Sequence, residues 1–168
     1  MNTFYSATLV LLLGFGAVIG RAQSPTPFDQ LKKLQGEWID LDGVVGPKGA
    51  VLATYRLTGG GTAVVETLFP GAKHEMTTVY HRDGKDIALT HYCSGGTQPR
   101  MRASSPSGNV LTFAYDGGTN FNPAKDDHMH NGRIEFISAD EIRAEWQGWA
   151  GGKAAGAHLA KMHLARKK

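Results

Sequence analysis

The sequence predicts an all-β protein, an antiparallel up-and-down β-barrel of about ten strands with one short N-terminal helix. From residue 37 onward, apolar and polar residues alternate with period two, in short segments rich in β-branched and aromatic residues. Glycine, aspartate, asparagine and proline separate these segments at the spacing of hairpin turns, as at Asp83 and Gly84. Because the loops are short, neighbouring strands are expected to pair antiparallel, and a meander of this length removes its exposed edges by closing into a barrel.

The elements follow from this punctuation. The predicted strands cover residues 37–41, 51–57, 62–69, 74–82, 86–93, 98–104, 110–115, 128–137, 141–149 and 157–166. Before them, Phe28, Leu31 and Leu34 recur every third residue, which predicts a short helix over residues 28–34 that closes one end of the barrel as a lid or plug. Residues 116–127 form a loop longer than a hairpin turn, and loops of this length are often functional.

The N-terminal segment predicts export. Residues 9–19 are an apolar run followed by the small residues Gly20 and Ala22, which is typical of a cleaved signal peptide over residues 1–22. The run is too short to span a bilayer, so no stable membrane anchor is expected after cleavage, and the mature protein is expected in the periplasm or outside the cell. Residues 23–33 then form a linker and the short helix, and residues 34–168 form the barrel domain.

Charge and cysteine content narrow the function classes. Removing Arg21 with the signal peptide leaves a net charge of +2, which is too small to indicate binding to nucleic acid or to an anionic membrane. Cys93 is the single cysteine, so an intramolecular disulfide and a cysteine-rich zinc site are both excluded. No Gly-x-Ser-x-Gly elbow or phosphate-binding loop is present, and an enzymatic activity is therefore not the favoured interpretation.

The segment Gly36-Glu37-Trp38 resembles the Gly-x-Trp opening of the calycin superfamily, which includes lipocalins and fatty-acid-binding proteins. The resemblance implies that Trp38 closes one barrel end and that Arg166, near the end of the last strand, packs across its ring. A count of ten strands is more similar to the fatty-acid-binding or nitrobindin-type barrel than to the eight-stranded lipocalin. The chain also resembles exported bacterial lipocalin-like proteins, for example over residues 89–93 and 98–102.

Strand alternation sorts the candidate interior residues. Trp146 shares a face with Ile142 and Ala144, while His91 and Cys93 share a face with Ile87 and Leu89. In residues 128–137 the apolar face is Ile134 and Phe136, and counting back by two places Gly132, His130 and His128 on the inner face as well. A β-bulge at Asn131 and Gly132 would reverse that assignment for the histidines.

These faces predict a cavity with aromatic walls and a polar cluster, which would bind a small apolar or amphipathic molecule. The predicted ligand-binding residues are His91, His128, His130, Trp146, Tyr80, Phe136, Arg100 and Tyr115. Among them, Arg100 with Tyr80 and Tyr115 would clamp a carboxylate, as interior Arg and Tyr do in fatty-acid-binding barrels. The alternative for Arg100 is a solvated outer face.

Two other function classes stay open on the sequence. His128 and His130, with His91 as a third imidazole, have the spacing of a divalent-metal site, and the nitrobindin resemblance implies haem. A metal- or haem-binding protein, with or without an enzymatic activity, is therefore the main alternative. Cys93 would be a nucleophile beside His91, or else a small buried apolar residue. The third class is an interaction protein with a filled barrel, which contacts a partner through residues 116–127.

Overall fold

The computed structural model describes residues 26–103 and 108–168, without the side chains of Ala157 and His158. The predicted signal peptide and most of the linker lie outside the described residues, as does part of the turn after residue 103. In the described ranges, no helix has the length and apolar character needed to cross a membrane.

The fold-class prediction is confirmed, because ten antiparallel strands form one closed barrel in sequential order. The strands are β1 (Gly36–Asp40), β2 (Val51–Thr58), β3 (Ala63–Leu68), β4 (Met76–Asp83), β5 (Asp86–Tyr92), β6 (Gln98–Ala103), β7 (Val110–Thr119), β8 (His128–Ser138), β9 (Glu141–Ala150) and β10 (Lys153–Arg166). A single 3₁₀ turn at Gly59–Gly61 joins β2 to β3. The last strand pairs with the first, with Trp38 opposite Arg166, so the sheet has no free edge.

The N-terminal helix α1 spans Pro27–Lys32 and plugs one end of the barrel. Thr26 and Asp29 form a reciprocal capping box, and Pro27 occupies the first helical turn, where its missing N–H costs no hydrogen bond. Phe28 and Leu31, together with Leu34 just after the helix, are buried in the barrel core. The apolar spacing therefore located the helix correctly, and the helix ends two residues earlier than expected.

The Trp38–Arg166 stack that the resemblance implied is present at this closed end. Trp38 is fully buried, its indole Nε1 donates to the Leu34 carbonyl at 2.7 Å, and the Arg166 guanidinium carbon lies 4.7 Å from its ring centroid. Arg166 also donates to the carbonyls of Lys33 and Ala139, at 2.8 and 3.0 Å. Gly36 lies beside it with φ +131°, and a Cβ there would lie 3.1 Å from the guanidinium.

Two strand boundaries differ from the sequence prediction by four residues, and the others by at most two. β7 continues through the Gly117–Gly118 pair to Thr119, so the β7–β8 loop shortens from residues 116–127 to residues 120–127. β10 starts at Lys153, four residues before its predicted start, and extends β9–β10 pairing toward the Gly151–Gly152 turn. Both extensions contain or adjoin glycines, which indicate turns in a sequence. A bulged strand also accommodates glycine, so the sequence prediction made these strands too short.

Sequential connectivity sends alternate connections to opposite ends of the barrel. The helix α1 and the β2–β3, β4–β5 and β8–β9 connections lie at the closed end. The β5–β6, β7–β8 and β9–β10 connections lie at the other end, which we call the open end. No helix covers the open end in the described part of the chain, so this is where the interior meets solvent.

Candidate functional site

A column of aromatic rings fills the middle of the barrel. The Tyr80 and Phe113 rings have centroids 5.9 Å apart, and Phe113 and Trp146 stack at the same separation with an interplanar angle of 28°. All three side chains are buried, and Trp146 ends the column on the side of the open end. The predicted inward face of Trp146 is therefore correct, and its ring forms a rigid floor.

Gly132 makes room for that floor. It pairs directly with Trp146 across β8 and β9, and a Cβ at Gly132 would lie 1.9 Å from Cε3 of the indole. No carbon atoms approach so closely without bonding, so any larger residue displaces the ring. The absence of a side chain at this position sets where Trp146 lies.

Above Trp146, at the open end, lies a cavity of about 800 Å³, within the usual range for small-molecule sites. Its walls come from the β5–β6 and β7–β8 loops and from the ends of β8, β9 and β10. The lining residues are Cys93, Ser94, Gly95, Thr97, Asn120, Lys125, Asp126, Asp127, His128, Met129, Trp146, Gly148 and Ala160.

Two polar atoms of this lining are buried without a hydrogen-bond partner among the described residues, the Thr97 hydroxyl and the Trp146 indole N–H. Thr97 is 8% exposed and Trp146 is 3% exposed. Buried polar groups in native proteins nearly always have a partner, and leaving one unpaired costs about 1–3 kcal/mol. Both residues belong to the cavity lining, so these two atoms are its buried polar groups with unused hydrogen-bonding capacity in the described ranges.

Cys93 lies in the cavity wall rather than in the apolar core. It follows the last residue of β5, and its backbone N–H donates to the Thr97 carbonyl at 3.0 Å, which closes a tight loop. The thiol is half-buried, and Gly95 N–H points at Sγ from 3.5 Å. The sequence predicted Cys93 on the inner face of β5, whereas in the structure it lies just after β5, in the wall of the cavity.

The two histidines of β8 form a hydrogen-bonded pair beside the cavity. His128 Nδ1 lies 2.9 Å from the Asp126 carbonyl, and its Nε2 lies 3.0 Å from His130 Nδ1. A carbonyl only accepts, so His128 carries its proton on Nδ1 and accepts from His130 at Nε2 in the neutral pair. Burial and the neighbouring His128 both lower the pKa of His130, which favours this neutral arrangement.

Aromatic rings hold this pair in place. His130 is sandwiched between Trp149 and Tyr115, with centroids 3.7 and 4.4 Å away and nearly parallel planes. Phe121, from the β7–β8 loop, packs on His128 at 4.6 Å. The loop is thus fastened to β8 by a ring contact and by the hydrogen bond at Asp126.

The expectation of unbroken alternation along β8 is wrong. The pairing register shifts between Met129 and Asn131, one residue before the bulge position that the sequence suggested. Met129 pairs with Gly148, so Met129 shares the face of the cavity floor, and His128 pairs with Trp149 instead. His128 is nevertheless buried, while His130, at the bulge, is half-buried.

His91 belongs to a different group of residues. Four adjacent strands contribute one polar side chain each at the same level, through the register pairs Tyr55–Glu66, Glu66–Thr78 and Thr78–His91. The Glu66 carboxylate accepts from Tyr55 at 2.6 Å and from Tyr80 at 2.8 Å, and the Thr78 hydroxyl lies 2.9 Å from His91 Nδ1. All of these side chains are buried, and we call them the polar row.

Burial governs ionisation in the polar row. It lowers the pKa of His91 to about 4, so the imidazole is neutral at physiological pH. Burial also raises the pKa of Glu66, against the opposing effect of the hydroxyl groups that donate to it. The sequence analysis missed Glu66 and Tyr55, although Glu66 alternates with Val64 and Leu68 on an apolar face and was detectable by that signal.

The remaining predicted site residues do not meet at the cavity. Arg100 is exposed on the outer face of β6, as the alternative interpretation had it, so it forms no carboxylate clamp with Tyr80. Phe136 lies at the closed end beside Lys33 and Leu34. Tyr80 is a donor to Glu66 in the core, and Tyr115 lies against His130.

The three histidines proposed as metal ligands do not form one group. His91 belongs to the polar row, where Thr78 occupies its Nδ1, whereas His128 and His130 bond to each other. Across residues 26–103 and 108–168, no three His, Cys, Asp or Glu side chains converge on a point where they would hold a metal ion. The donor set therefore does not fit a three-histidine site.

Comparison with known proteins does not assign this chain to a family, so its class is defined by its fold alone. Neither a scan against protein-family models nor a search of curated proteins finds a match to this chain. The molecule is a closed ten-stranded antiparallel β-barrel with a helical plug, and this architecture is consistent with a calycin-like fold.

Proposed function

We propose that this barrel binds a small, uncharged, mainly apolar molecule in the open-end cavity. The observation that carries the proposal is the pair of unpaired buried donors, Thr97 Oγ1 and Trp146 Nε1, in the wall and floor of an 800 Å³ cavity. An oxygen acceptor on the ligand would bond the indole N–H, while the ligand body covers the face of the Trp146 floor.

The charges at the cavity argue for an uncharged ligand. Lys125 is the only lysine or arginine among the lining residues, and it stands beside Asp126 and Asp127, all three exposed. A buried carboxylate needs a cation or several donors as partners, and the cavity floor supplies one N–H. A neutral ketone, ester or alcohol satisfies that floor without an unpaired charge.

Prodan, a neutral naphthalene ketone whose emission reports the polarity around its carbonyl, tests this function. We expect the purified protein to bind it with a blue-shifted emission. Thr97→Val and Trp146→Phe should each weaken binding about three- to tenfold, which corresponds to one neutral hydrogen bond. Thr112→Val, on the exposed outer face of β7, is the matched control and should bind as the parent does.

Stability without ligand separates a binding role from a structural one. Thr97→Val removes an unpaired buried hydroxyl while it keeps the shape of the side chain, so the free protein should be as stable as the parent or more stable. If Thr97→Val lowers the melting temperature and leaves Prodan binding unchanged, the hydroxyl has a structural partner and the proposal fails. Absence of Prodan binding to the parent chain also overturns it.

A metal- or haem-binding role is the weaker proposal, because one ring nitrogen of His128 and one of His130 are already engaged in the hydrogen bond between the two rings. His130 Nε2 is the nitrogen of that pair without a hydrogen bond in the described ranges, and in metal-ligating histidines the other ring N–H is usually held by a hydrogen bond, as Nδ1 of His130 is here. Absorbance and metal content of the protein purified from its own compartment decide the matter, since a Soret band or stoichiometric metal would favour this role.

Export stays a prediction from residues 1–22. We propose that the mature chain acts in the periplasm or outside the cell. N-terminal sequencing of the mature protein checks it, and a start near Gln23 is the expected result.

A further inference from the structure

We propose that the open-end cavity captures α,β-unsaturated carbonyl compounds covalently, through addition to the Cys93 thiol. The inference rests on the proposed function, because it assumes that a neutral carbonyl ligand enters this cavity. It adds a chemical class of ligand and a modification site.

The first argument is the position of the thiol. Cys93 lines the same cavity as the two unpaired donors, and the hydrogen bond from its N–H to the Thr97 carbonyl ties it to Thr97 within one five-residue loop. The thiol is half-buried, which leaves it accessible from the cavity side. Cys93 is also the only cysteine of the chain, so no second thiol competes by forming an intramolecular disulfide.

The second argument is the match between the donors and the charge that the reaction develops. When sulfur attacks the β-carbon of an enone, the π electrons move onto the carbonyl oxygen as an enolate. The Trp146 N–H and the Thr97 hydroxyl are buried and unpaired among the described residues, and both residues line this cavity, so in this proposal they donate to that oxygen as its charge grows. A saturated ketone uses the same donors but offers no carbon to the thiol.

The third argument concerns the sulfur itself. The reactive form of cysteine is the thiolate, and Gly95 N–H lies 3.5 Å from Sγ, where it stabilises negative charge. In the addition, the S–Cβ bond forms and the C=C π bond breaks. The thiol proton leaves to water, and a proton from water ends on the α-carbon. The product is a thioether ketone, and the step needs no oxidant or reductant.

Acrylodan tests the inference, because it is the enone counterpart of Prodan on the same naphthalene body. We expect one adduct per chain by intact mass, located at Cys93 by peptide mapping and absent in Cys93→Ser. The labelling rate should saturate with acrylodan concentration, with half-saturation near the Prodan dissociation constant, and excess Prodan should suppress it. Thr97→Val should slow labelling about three- to tenfold, whereas Thr112→Val should not.

Iodoacetamide separates a guided reaction from simple exposure of the thiol. It needs no enolate donors, so Thr97→Val should react with iodoacetamide at the parent rate. The inference is overturned if acrylodan labelling is linear in concentration, insensitive to Prodan and as fast as that of glutathione. In that outcome, Prodan binding by the parent and by Cys93→Ser still supports the proposed function, whereas loss of Prodan binding would remove both.

Discussion

Replacing Gly132 with alanine is the most direct test of how the cavity floor is built. The new Cβ would lie 1.9 Å from Cε3 and 2.1 Å from Cζ3 of Trp146, whereas carbon atoms in contact prefer about 3.5–4.0 Å. The indole must therefore retreat by about 1.5–2 Å. Phe113 is stacked on it, so the retreat strains the aromatic column.

Overpacking of this kind costs about 1–3 kcal/mol, which corresponds to a melting temperature roughly 3–12 °C lower for a domain of this size. Gly156→Ala is the matched control, because a Cβ there meets no atom within 4 Å. Thermal unfolding measures the cost, and Prodan titration should show at least tenfold weaker binding as the indole N–H moves. Equal melting temperatures and equal Prodan affinities for the two alanine variants would refute the idea that Gly132 positions the floor.

Three further variants test the closed end and the polar row. Trp38→Ala should lower the free energy of unfolding by about 3–5 kcal/mol in urea titrations, since its ring is fully buried; a loss below about 1 kcal/mol would contradict its closing role. Burial holds the pKa of His91 at about 4 against 6.5 in the unfolded chain, so the unfolded state binds more protons between these values. The stability of the parent relative to His91→Gln should therefore rise by about 3 kcal/mol from pH 4 to pH 6.5, and a flat difference would refute the burial argument. Glu66 has the opposite sign, because its raised pKa keeps the proton in the folded state. Relative to Glu66→Gln, the parent should lose stability as pH rises above about 4.5, by up to about 1.4 kcal/mol per pH unit; a gain would show that the carboxylate is ionised in the core.

The alternation of residues was sufficient to predict the barrel and much of its inner face. Ile142, Ala144 and Trp146 face inward as expected. The charged residues Arg143 and Glu145 lie on the other face of β9, which therefore had to be the outer face. The same reasoning works for Leu89 and His91 on β5. Each of these faces is fixed by local chemistry, so no tertiary information was needed.

The site was less predictable, because it depends on interruptions of that alternation. The bulge at His130 changes the face of every residue before it, and no residue type announces it unambiguously. The unpaired state of Thr97 depends on which groups the assembled barrel places around its hydroxyl, and the sequence of one strand does not show that. Glu66 was readable from the alternation, but a charged residue on an apolar face is easily assigned to solvent.

The contacts of Arg166 at the closed end of the barrel have a consequence for how this chain folds. Its guanidinium donates to the Gln35 carbonyl, 131 positions earlier, and Trp38 and Arg166 are also strand partners. Barrel closure is thus the most non-local event in the described part of the chain, and it has to wait until β10 has emerged from the ribosome. Until then, β1 and β9 both present unpaired backbone N–H and C=O groups, which are open to pairing with other chains.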